Sequence, residues 1–212
     1  GINAEYGAIL MTHSLKNNLS TTKYIQNRVA ELLTVNFDNF NVESLGELVP
    51  EQSNCKKRKF ESNPPLQGQQ NYDFGLSAVH CNLLDTSGLS QLVESAIYTP
   101  SRLVFLNLAN NKIVNIPELE MFSSLKIVNL QANLIKDIQQ FTKLEKLSNL
   151  TNLQLQGNPV CILIGYRLFL LNMLRQLKKL DGNPVLEGER ETVENLGLIG
   201  AMKVREPVLK RK

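Results

Sequence analysis

Between Leu103 and Val160 one pattern is written three times, and it dictates what this chain can become. Leu103, Leu106, Leu108, Asn111, Ile113 and Ile116 make the first copy. Leu125, Val128, Leu130, Asn133, Ile135 and Ile138 make the second, and Leu150, Leu153, Leu155, Asn158 and Val160 the third. The asparagines stand 22 and then 25 residues apart. An amphipathic helix repeats its apolar positions every ~3.6 residues and does not hold asparagine in so long a register. Alternating leucines predict instead a short strand in each copy, with the leucines on one face. Each asparagine amide can satisfy backbone groups of the turn that would otherwise be buried unpaired. A single copy cannot bury its own apolar edge, so the copies must stack.

The spacing resembles the leucine-rich repeat, whose units run roughly 20–29 residues in the form L-x-x-L-x-L-x-x-N-x-L. A degenerate earlier copy is read by aligning Asn82 with Asn111, which sets Phe74, Ser77, Val79 and Leu84 at the positions of Leu103, Leu106, Leu108 and Ile113. Its longer interval leaves room for a helix over Gly88–Tyr98, with Leu89, Leu92, Val93 and Ile97 on the inner face. Gln139–Asn149 carries a similar insertion through Phe141, Leu144 and Leu147. Beyond Asn158, Tyr166–Leu177 reads as an apolar helix, and Leu177, Leu180 and Val185 as a half-repeat closing in a Gly182/Pro184 turn. The expected fold is α/β: a short horseshoe solenoid of four repeats, one of them degenerate, with a C-terminal cap and an N-terminal helical extension.

Four segments follow. Residues 1–50 are the extension, in which Ser20 or Thr21 caps a helix carrying Ile25, Val29, Leu32, Leu33 and Phe37. That helix suits either a cover for the first repeat or docking in a partner's groove. Residues 51–71 read as a polar linker around Pro64, Pro65 and Gly68. Within it Lys56, Lys57, Arg58 and Lys59 fit a nuclear-import signal, a contact for an acidic surface, or simply a solvated charge run. Residues 72–186 form the repeat domain with its cap, and 187–212 a polar helix and basic tail.

Composition narrows the chemistry. The three cysteines are odd in number and lack C-x-x-C spacing, which points to a reducing compartment. The apolar run from Val160 to Leu171 is interrupted by Gly165 and Arg167 and is too short for a bilayer. No basic-then-apolar leader opens the chain. A soluble, cytoplasmic protein without membrane contact is expected. Only two histidines occur, His13 and His80, and no glycine-rich phosphate loop is written. Cys81 and Cys161 fit core or turn positions rather than reactive thiols. No catalytic residue, cofactor, metal or small-molecule substrate is expected.

The variable strand positions say more. Leucines turned inward send their neighbours to the concave side. Under the alignment above, the first column reads Leu76, Phe105, Ile127, Asn152; the second Ala78, Asn107, Asn129, Gln154; the third His80, Ala109, Gln131, Gln156. Formal charge is absent, apart from His80 when protonated. A nucleic-acid face would place Lys or Arg there. An apolar edge beside a ladder of amides suits a protein helix or strand, with Phe105 and Ile127 each contributing roughly 1.5–3 kcal/mol if fully covered and the amides setting register. The partners expected are proteins in a larger complex.

Asn158-Pro-Val160, Tyr166-Arg167, Leu177-x-x-Leu180-Asp181-Gly182, Val185 and Glu189-Arg190 resemble the C-terminal cap of the phosphatase-regulator type of leucine-rich repeat. The U2 small nuclear ribonucleoprotein A-prime protein and many ciliary leucine-rich proteins share that cap. The resemblance implies that Tyr166 and Arg167 help close the last repeat, alongside Asp181. Pro64-Pro65-Leu66 before Tyr72-x-Phe74, few repeats, and Gly165-Tyr166-Arg167 are similar to short leucine-rich proteins encoded beside a vertebrate transmembrane O-methyltransferase. This implies a scaffold in a cilium, axoneme or other microtubule-associated cytoskeletal assembly. The alternatives it leaves are a nuclear ribonucleoprotein component and a phosphatase regulatory subunit.

Overall fold

The computed structural model describes residues 32–53, 73–96 and 100–197. They build one seven-stranded sheet whose strands lie side by side in chain order. The strands are β1 (Leu32–Asn36), β2 (Asp73–Ser77), β3 (Leu103–Asn107), β4 (Ile127–Asn129), β5 (Asn152–Gln154), β6 (Lys179–Leu180) and β7 (Asn183–Pro184). β1 to β6 are parallel, and β7 turns back antiparallel onto β6. Parallel neighbours require each strand to return through a crossover on the other side. Here the crossovers are the helices α1 (Leu89–Ala96) and α2 (Tyr166–Met173) and 3-10 turns such as Leu119–Met121 and Ile138–Lys146. The last helix, α3 (Glu187–Gly197), packs on α2.

The sheet register decides which side chains meet. Val35, Leu76, Leu106, Val128, Leu153 and Leu180 are successive partners across the ladder, and all point into the core. The next inward row is Phe37, Ala78, Leu108, Leu130 and Leu155, each fully buried. Phe141, Leu144 and Leu147 fill the space behind the third interval, as their spacing predicts.

Each asparagine of the pattern reaches back one turn. The Asn133 amide donates to the carbonyls of Leu108 and Leu130, both at 3.0 Å, and its oxygen accepts from the Ile113 N–H at 3.0 Å. Asn158 repeats the arrangement with Leu130, Leu155 and Ile135. Asn111 donates to Ala78 and accepts from Cys81 and Leu83. That last set shows the register of the degenerate repeat. The residue equivalent to Asn111 is Cys81, not Asn82. Its thiol donates to the Phe37 carbonyl at 3.0 Å, and burial pushes that thiol up from its ordinary pKa, so it stays a donor. Cysteine is the accepted substitute in this column because it is small and carries one donor hydrogen.

Three expectations change accordingly. Leu83, rather than Leu84, is the buried partner of Ile113, while Leu84 is exposed. Asn82 lies at the rim in a left-handed conformation, its amide bonded to the Asn41 side chain. The segment Leu32–Asn36, read as helix, is the first strand, so the solenoid begins in the stretch assigned to the extension and has one turn more than the four counted. Leu33, Val35 and Phe37 also alternate with period two, and pairing with β2 selects that period over the helical one. Ile25 and Val29 lie outside the described residues, as does Lys56–Lys59.

Replacing Asn133 with Ala is expected to cost about 1–3 kcal/mol, because three buried backbone groups lose their partner. Glu145→Ala, on an exposed position of the crossover, is expected to stay within about 0.5 kcal/mol of the parent. Urea unfolding of the two variants makes the comparison.

Candidate functional site

The hollow side of the sheet is built by the residues that alternate with the core leucines. The strand pairings give its first column as Thr34, Gly75, Phe105, Ile127, Asn152 and Lys179, and its second as Asn36, Ser77, Asn107, Asn129 and Gln154, running on to Asp181. Asp38, Val79, Ala109, Gln131 and Gln156 follow as the third. The one-residue shift at Cys81 therefore moves three residues expected on this side, Leu76, Ala78 and His80. Leu76 and Ala78 point into the core, each fully buried. His80 sits in the turn after β2 with φ of 58°, in the same left-handed position as Asn110 and Ala132, and is exposed there.

The strand register brings Phe105, Asn107, Ile127, Asn129, Gln131, Asn152, Gln154 and Gln156 together on this side. Much of their polar capacity is used within the sheet. The Asn129 oxygen accepts from the Gln131 N–H two residues on, and Asn107 does the same for Ala109. The Gln131 amide donates to Gln156 at 2.8 Å, and Gln156 donates to the Asp181 carbonyl. Asp38 adds a charge at the β1 end, where its carboxylate accepts from Ser77, the Val79 N–H and Asn36. Lys179 adds the opposite charge at the far end. Between them, from β2 to β5, the three columns carry no formal charge.

Gly75 is the hollow-side residue that the sequence pattern did not single out. A Cβ there would lie 2.9 Å from the Phe105 ring and 2.8 Å from the Thr34 hydroxyl. The ring thus lies down on the glycine instead of standing out from the sheet, which helps to explain why Phe105 is only 5% exposed. Ile127, Asn129 and Gln131 remain half-buried, and Gln156 is exposed. Asn152 is 3% exposed, and its side-chain oxygen has no hydrogen-bond partner. An unmet buried carbonyl of this kind costs about 1–3 kcal/mol.

The end of the stack is closed by the cap residues. Tyr166 is buried at the start of α2, and its hydroxyl donates to Asp181 at 2.9 Å. Burial first, then the neighbouring carboxylate, holds its pKa far above the ordinary phenol value. The other Asp181 oxygen accepts from the Leu155 N–H. Arg167 donates to the carbonyls of Leu180 and Pro184 and makes a two-pronged pair with Glu189. That guanidinium is the main reason the Glu189 carboxyl is lowered to a pKa of about 2. Arg190 ties the carbonyls of Leu171 and Leu177. Among the described residues no group of three or more His, Cys, Asp or Glu could hold a metal, and no helix is long and apolar enough to cross a membrane.

Six parallel strands in chain order, knit by a buried asparagine or cysteine column and closed by a Tyr–Arg cap, define a leucine-rich solenoid. Sequence comparison agrees: the leucine-rich repeat family profile matches residues 89–199, and the chain belongs to that family. Leucine-rich repeat-containing protein 51 of Rattus norvegicus is 31% identical over 113 residues, which are 53% of this chain and 59% of that protein. The human form is 30% identical over the same length. The chain thus matches a little over half the length of these relatives. The centrosomal protein of 72 kDa from Mus musculus is 34% identical over 87 residues, 41% of this chain and 14% of that protein. Among solved structures, a chain of the Drosophila melanogaster SNF/U2A' complex aligns with a TM-score of 0.51 at 24% identity, covering 59% of this chain and 68% of that one, a likeness of fold.

Gly75→Ala is expected to destabilise the fold by about 1–3 kcal/mol through crowding, and to be relieved in part by Phe105→Leu, which leaves only the Thr34 contact; thermal unfolding reads both. Glu189 gives a pH test. Its carboxyl falls from the ordinary value of 4.5 to about 2 on folding, so its contribution is whole above 4.5 and is lost as pH falls towards 2. The stability gap between the parent and Glu189→Gln is expected to be present at neutral pH and to close over that window in urea titrations.

Proposed function

We propose that this chain is a non-enzymatic scaffold that holds another protein against the hollow side of its sheet, in a ciliary or other cytoskeletal assembly. The observation that carries this reading is the uncharged stretch of hollow face from β2 to β5, lined by Phe105, Ile127 and amides. Phosphate neutralisation needs Lys or Arg at such positions, whereas an apolar and amide surface suits a polypeptide, and solenoids commonly bind along this side. Because Phe105 is already folded down, Ile127 with the reachable ends of Asn129, Gln131 and Gln156 carries the contact. The name of the centrosomal relative, and the resemblance of the cap to those of ciliary leucine-rich proteins, support the setting.

The double variant Ile127→Glu, Gln156→Glu alters only half-buried and exposed positions. It is expected to lose the partners that the parent chain captures from ciliated cells, with an unchanged circular-dichroism spectrum. Recovery of the same partners by the double variant would overturn the reading. A tagged chain is expected at the centrosome or axoneme. Nuclear accumulation that depends on Lys56–Lys59 would instead favour a ribonucleoprotein role.

A further inference from the structure

Away from the hollow, one edge of the slab carries a row of apolar side chains that stay exposed. After each column residue the chain runs out along this edge with period two. Leu83, Ile113, Ile135 and Val160 form its inward row, each fully buried. Their neighbours face out, where water favours polar residues. Here they include Leu84, Val114 and Leu134, exposed to 45%, 42% and 46%, and the following turn, Pro159–Ile162, ends in Ile162 at 79%. Backbone bonds set these turns side by side: the Val114 N–H donates to the Leu84 carbonyl, the Leu134 N–H to Ile113 and the Val160 N–H to Ile135. Single exposed leucines are ordinary, but an apolar run across successive turns marks a contact surface.

We infer that this edge joins two copies of the chain about a two-fold axis passing between the Asn111 and Asn133 turns. The charges on the edge select this occupant. Lys112 and Lys136 share it with Asp85 and Asp137, so the signs balance. A partner of one strong sign, such as a nucleic acid or an anionic lipid surface, would meet as many repelling groups as attracting ones. A second copy escapes this, because a two-fold contact pairs residue i with j and j with i.

The spacing makes the edge complementary to itself. Lys112 stands one residue past Asn111, and Asp137 four past Asn133. Rotation about the axis therefore sets Lys112 opposite the second copy's Asp137, twice over. Val114, three past Asn111, falls by the same rotation against Leu134, one past Asn133. Leu84 falls against the Pro159–Ile162 turn. Lys112 and Asp137 are both exposed, and the Asp137 carboxylate is fixed at the edge by accepting the Gln139 N–H at 2.9 Å. The contact uses no residue of the hollow face and does not rest on the scaffold reading.

Sedimentation velocity of the full chain over a concentration series is expected to show a reversible monomer–dimer equilibrium. Lys112→Glu and Asp137→Lys are each expected to raise the dimer dissociation constant about tenfold, since each makes both cross-copy pairs repulsive. Mixing the two variants is expected to restore dimers, because both pairs attract again in the mixed dimer; a variant that had only lost its fold would not recover. The hollow-face variant Ile127→Glu, Gln156→Glu is expected to dimerise as the parent does. A parent that stays monomeric, leaving the edge to some other protein, would overturn the assignment. So would dimers indifferent to Lys112→Glu, a mixture that stays monomeric, or loss of dimers in the hollow-face variant.

Discussion

The hydrogen bonds that each asparagine makes to the turn before it are the constraint on which the rest of the structure depends. A solenoid turns its backbone sharply after every strand, and the turn's carbonyl and N–H groups lie inside, away from water. Left unpaired, such a group costs on the order of 1–3 kcal/mol, comparable to what burying one leucine side chain contributes. Asn111, Asn133 and Asn158 each answer this with two or more donor contacts and at least one acceptor contact spanning two successive turns. One side chain thereby sets the spacing between neighbours as well as the turn itself. The leucines then have a fixed geometry to fill.

The same logic shapes both ends of the stack. A terminal turn has no successor to complete it, so the last one needs a substitute. Asp181 and Arg167 supply it by bonding backbone groups of the last turns, the Leu155 N–H and the Leu180 carbonyl, while Tyr166 and Glu189 hold those two side chains in place. At the β1 end, Asp38 ties β1 to β2 through Ser77 and Val79. Ion pairs matter here for position more than for energy, since both Arg167 and Glu189 keep contact with water.

What the hollow face can offer is a consequence of this internal economy of hydrogen bonds. Several amides that look from the sequence like a free ladder are committed to their own strand or to the next one. What the face presents is therefore chiefly shape and an absence of charge, with Ile127 half-buried at the centre and Phe105 folded against Gly75.

The leucine and asparagine periodicity by itself determined the stacked parallel strands, the inward rows and the helical insertions at Leu89–Ala96 and 141–147, while the cap was legible through its resemblance to a family motif. Those features are local: each arises from spacing within one turn. The degenerate repeat was misread by one residue because Asn82 is adjacent to the true column residue, and only the bonds of Asn111 to Cys81 and Leu83 distinguish them. That slip carried Leu76 and His80 onto a face they do not share. Leu32–Phe37 satisfied both helical and strand periods, and the choice fell to its pairing with β2, forty residues away. Register, the role of Gly75 and the accessibility of the hollow are properties of neighbouring turns in contact, so tertiary structure alone decided them.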